Sequence, residues 1–97
     1  MPDLKDAIEV VTDPANIDGF SDTHSEFRHV NAKKAIRALR AQGAGKGEAR
    51  TLISDAVREL GGRVDAEVRA SGRAAGSDLK RATDVWSVPV AKVRKPS

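Results

Sequence analysis

Apolar positions recur along this chain with two periods, and the change from one to the other divides it. Leu4, Ile8 and Val11 stand at i, i+4 and i+7, with Pro2 and Asp3 suited to a first turn, so a short amphipathic helix is expected over residues 1–11. A strand through residues 7–12 is the competing reading. Asp13-Pro14, Asn16 and Asp18-Gly19 are turn formers, which makes residues 12–20 a loop. Thr23 and Glu26 then have the spacing of a capping box, and the pattern predicts a helix over residues 24–42 that stops at Gly43. On its wheel Ala32, Ala35, Ile36 and Leu39 share one face, while His29, Lys33, Arg37 and Arg40 share a neighbouring one.

Residues 43–47 hold three glycines and join this helix to the next. Ala49, Leu52, Ile53, Ala56, Val57, Leu60, Val64 and Val68 form one stripe, predicting a second, antiparallel helix over residues 48–70. Asp55/Arg58, Glu59/Arg63 and Asp65/Arg69 would pair along its solvated side. Gly61-Gly62 inside it implies a bend or the close approach of another backbone. Residues 71–76 read as a link, and Ser77-Asp78 as the cap of a short helix through residue 83. Beyond that the period becomes two: Trp86, Val88 and Val90 alternate with Val85, Ser87 and Pro89. Pro89 cannot donate to a ladder, so this segment is expected at an edge or as an extended arm.

The fold class expected from these periods is mainly α. It is an antiparallel helical hairpin with a short N-terminal helix and a C-terminal extended or strand-like arm, all in one domain. Within residues 1–97 the divisions are an acidic segment 1–20, a helical core 21–84 and a basic arm 85–97.

Charge sharpens this picture. Residues 1–26 carry seven acids and one base, a net of −6, and residues 27–97 carry sixteen bases and seven acids, a net of +9. Such asymmetry serves docking and steering between macromolecules more than small-molecule turnover. Large apolar side chains are few for 97 residues, so self-association or a larger assembly is expected to add stability. Cysteine is absent, which excludes disulfides and thiolate metal sites. The opening lacks the basic and apolar regions of a signal peptide and no apolar run reaches a membrane span, so a virion or cytoplasmic location without signal-peptide export is expected.

Candidate chemistry is sparse. The glycine segment suggests a phosphate loop around Lys46, but Arg40 and Gly47 stand where a Walker-type loop needs glycine and serine or threonine. His24 and His29 are five apart and fall on different helical faces, so no metal site is expected. The acids of residues 48–84 stand beside arginines, as on a solvated face, and no enzyme activity, cofactor or small-molecule substrate is expected. The candidate nucleic-acid residues are Lys33, Arg37 and Arg40, with Lys34, Lys92, Arg94 and Lys95 as outlying positive charge. Three aromatic residues are too few for base-stacking platforms. The candidate interface residues are Leu60 and Val64, on a stripe wider than the preceding helix covers, and Trp86 as anchor of the arm.

The stretch Ala35-Ile36-Arg37-Ala38-Leu39-Arg40-Ala41-Gln42-Gly43, followed by an alanine- and arginine-rich helix ending in Val68-Arg69-Ala70-Ser71, resembles the helical part of tail-completion or head-to-tail joining proteins of tailed bacteriophages. The likeness covers residues 35–71. It departs where that family has a substantial strand region after the long helix, since only residues 85–93 read as strand here. The resemblance implies a non-enzymatic virion component, a ring-forming adaptor with itself and other assembly proteins as partners. The expectation is therefore a structural module in a homo-oligomer; the alternative is a small basic DNA-binding or nucleoid-type protein.

Overall fold

The computed structural model describes residues 1–18, 26–70 and 80–95, with backbone alone over 66–70 and 80–83. Helix α1 spans Leu4–Thr12. Asp3 caps it through a full capping box, in which its Oδ1 accepts from the Asp6 amide at 3.1 Å and Asp6 Oδ2 accepts from the Asp3 amide at 2.9 Å. A 3-10 turn over Pro14–Asn16 leads into strand β1, Ile17–Asp18, and then strand β2 covers Phe27–Val30.

Helix α2 spans Ala32–Ala41 and helix α3 spans Lys46–Glu59. Each ends the same way. Gly43 and Gly61 take left-handed φ values of +107° and +79°, where a side chain would be strained. The amides of Ala44 and Gly62 reach back to Leu39 O at 3.1 Å and Val57 O at 2.8 Å, closing both helix ends with paired return bonds. Strands β3, Arg63–Ala70, and β4, Lys80–Pro89, then form a hairpin with eight consecutive antiparallel pairs from Arg63↔Ser87 to Ala70↔Lys80.

The strands make one antiparallel sheet in the order β1-β2-β4-β3. The fold is therefore three helices on a four-stranded sheet, which corrects the expected mainly α helical hairpin. Three segments explain the difference. Residues 27–30 are strand rather than the start of a helix, because Asn31 interrupts the chain there and caps α2, accepting from the Lys34 amide at 3.0 Å. Residues 63–70 are strand rather than the end of a helix. The stripe Leu60, Val64, Val68 has helical spacing, but Arg63, Val64, Asp65, Ala66, Glu67, Val68, Arg69 and Ala70 alternate just as well, and Gly61 has already ended the helix. Residues 85–89 are strand as expected but no arm: β4 lies between β2 and β3 at Ser87, with Pro89 tolerated because it is the last residue.

Residues 80–83 are likewise strand, where a short helix was expected. The expected turn at 19–20, cap at Thr23, link at 71–76 and cap at Ser77-Asp78 lie outside the described residues.

The helices share one face of the sheet. Ala7, Val11, Leu39, Ile53, Val57 and Val88 are fully buried between the layers, and Trp86 retains 2% exposure. Trp86 Nε1 donates to Ser54 Oγ on α3 at 3.0 Å, so the indole has both its area and its polar atom satisfied inside the domain. Gly62 is required by the packing: a Cβ there would collide with the Ser87 carbonyl and lie 2.8 Å from Val57 Cγ1. The last described segment turns back past α1, where Arg94 donates from its amide to Thr12 O at 2.8 Å and from its guanidinium to Glu9 O at 2.7 Å.

Candidate functional site

Ten residues of α2 expose Lys33, Arg37 and Arg40 along one side, because Ala35 and Leu39 are drawn into the core on the other. The Gly43 turn sends α3 back beside α2, and Lys46 and Arg50, four apart, come to face the same space. The result is an open groove of about 630 Å³ lined by Lys33, Arg37, Arg40, Lys46 and Arg50, with Ile36 and Ala41 as its apolar part. Among the described residues five cations and no acid line it.

No acid among the described residues forms an ion pair with these cations. Among the described residues the one ion pair is Arg58 with Asp55, at 3.9 Å and well exposed on α3, away from the groove. Gly45 caps α3 with no side-chain acceptor, so the helix's positive N-terminal end adds to the potential near Lys46 without creating a site alone. A smaller cleft of about 260 Å³ begins on the far side of Arg50, lined by Thr51, Ser54, Asp55, Arg58, Val64 and Asp84. Its charges are mixed, and Ser54 is already the acceptor of the Trp86 indole.

The structure thus brings Lys33, Arg37 and Arg40 together and adds Lys46 and Arg50, which the sequence reading did not join to them. The available signal was the hairpin itself: two helices joined by residues 43–47 place the start of the second beside the end of the first. His29, read as part of the basic stripe, is on β2 instead, and Arg94 is held against α1. Of the three interface candidates, Trp86 is in the core, while Leu60 and Val64 are half-buried and pack against it.

Among the described residues Asp3 is the titratable group with a displaced pKa, held below its ordinary value of 3.8 chiefly by the Asp6 amide it accepts from. It does not line the groove and belongs to the cap of α1. Among the described residues no cluster of histidine, cysteine or acidic side chains could hold a metal ion, and no helix is long and apolar enough to cross a membrane. Comparison with protein-family models, curated proteins and solved structures finds no match for this chain.

Proposed function

We propose that the chain is a binding module for the phosphate backbone of double-stranded nucleic acid. The observation that carries this reading is the convergence on one open groove of five cations from two helices, none with an ion-pair partner among the described residues. Lysine and arginine in such a groove neutralise successive phosphates and release their counterions, a favourable term that needs no particular base sequence. None of the described residues lining the groove is aromatic, so they offer bases nothing to stack on, and that favours a duplex over a single strand.

The test is retention of a mixed-sequence duplex at several salt concentrations. Binding should weaken with a log-log slope no steeper than about −4.5, since each phosphate contributes about −0.9 and five cations are available. Lys33→Gln with Arg37→Gln and Arg40→Gln should abolish retention, Lys46→Gln with Arg50→Gln should weaken it strongly, and the circular dichroism of both should match wild type. A wild-type chain that retains no duplex at about 50 mM salt would sink the reading.

A role in phage assembly is the second reading, favoured by one observation. The β3 and β4 hairpin supplies a strand region after the helices, the feature whose shortness set the sequence apart from tail-completion proteins. Solution mass decides whether it forms the closed ring that reading requires.

A further inference from the structure

We infer that the basic groove also receives the acidic face of α1 from a second copy of this chain, head to tail. The inference uses the groove described above but stands whether or not nucleic acid binds there. Helix α1 buries Ala7, Val10 and Val11, which leaves Asp6, Glu9 and the cap residue Asp13 on its opposite side. None of these acids has a cationic partner within ion-pair distance among the described residues, where Arg58 with Asp55 is the one such pair. No residue of α1 lines the groove. An unpaired acidic helix face and an unpaired basic groove therefore coexist on one protomer, and they can meet only between copies.

Apolar chemistry agrees with charge. Met1, just ahead of α1, is an exposed large apolar side chain, 89% accessible, and Ile36 and Ala41 give the groove an apolar part for it to reach. A second copy is the occupant that carries both halves of the match. Because the two surfaces differ, the contact is heterologous, so it propagates from copy to copy into a ring or an open chain rather than closing as a two-fold dimer. Resting on exposed ion pairs, it should be weak and concentration-dependent, present at about 0.01 M salt, where the screening length is about 30 Å, and lost near 0.15 M, where it is about 8 Å.

Sedimentation velocity at low salt tests this with two variants. One carries Lys33→Gln and Arg37→Gln; the other carries Asp6→Gln and Glu9→Gln, the glutamine at position 6 keeping the side-chain acceptor that the cap of α1 uses. Wild type should show a weight-average mass that rises with concentration to more than about twice the monomer's, and each variant alone should stay monomeric. Mixed in equal amounts, the variants should form a one-to-one dimer and nothing longer, since a single productive groove-to-helix contact remains between them. A wild type that stays monomeric, a mixture that stays monomeric, or a variant that associates alone as wild type does would each overturn the inference. Duplex retention separates this from the functional reading: the acidic-face variant should keep it and the groove variant lose it. A one-to-one dimer from a chain that retains no duplex would sustain self-docking and remove only the nucleic-acid reading.

Discussion

Glycines in this chain do unlike jobs, and substitution separates them. Gly62 has the Ser87 carbonyl and Val57 where a Cβ would be, so neither rigid neighbour can yield cheaply. Gly62→Ala should cost roughly 1–3 kcal/mol in urea unfolding, the range for forcing atoms into a packed site. Gly47, near the start of α3, has nothing within 4 Å of that position and no left-handed φ. Gly47→Ala should raise stability by about 0.4–1 kcal/mol by restricting the unfolded chain. Asp3 adds a pH signature. Its native pKa is lowered, so its contribution is complete above the ordinary value of 3.8 and is lost as pH falls through the native value. Protection of the α1 amides, taken relative to their intrinsic exchange rates, should therefore fall in acid, and Asp3→Asn, which keeps an acceptor at the cap, should remove that part of the pH dependence.

At the level of elements, the first helix and the glycine stop of the second were legible in sequence, whereas the start of α2 at Asn31, the end of α3 at Gly61 and the sheet were not. The first helix was expected over residues 1–11 and forms at Leu4–Thr12; the stop at Gly43 is where α2 ends. Residues 63–70 failed because a strand of alternating charge and small apolar side chains satisfies both periods, and only the left-handed Gly61 decides between them. The same ambiguity invented ion pairs: Glu59 with Arg63 and Asp65 with Arg69 have helical spacing, but the chain turns to strand at Arg63. Placing β4 inside the sheet also reverses what the C-terminal segment is for. Truncation after Asp84 removes Trp86 and Val88 from the core, so it should unfold the chain, read as loss of the helical circular dichroism and of the cooperative melt. A truncated chain that keeps its helices would show that β4 is dispensable to them.

For the whole molecule, charge was the most legible property and its partner the least. The sequence divides into an acidic opening and a basic remainder, and folding turns that linear division into a helix face and a groove. Lys33, Arg37 and Arg40 could be found by helical spacing alone, whereas Lys46 and Arg50 join them only through the tertiary return of α3. Trp86 was misplaced because an alternating segment with a proline looks the same whether it lies at an edge or ends a central strand.

The strand order has one more consequence, for the time course of folding. Strand β4 is the last to be synthesised, yet it joins β2 to β3. Phe27 and Pro89, which pair in the sheet, lie roughly sixty positions apart, so that contact closes a long loop and raises the contact order above that of a helical hairpin. Helices α2 and α3 can assemble early from local contacts, but a nascent chain ending before residue 85 has no strand to unite its two sheet halves. Refolding should accordingly take milliseconds to seconds, as in sheet-limited domains, rather than the microseconds to milliseconds of a helical hairpin. The rate-limiting step is the arrival of the C-terminal strand.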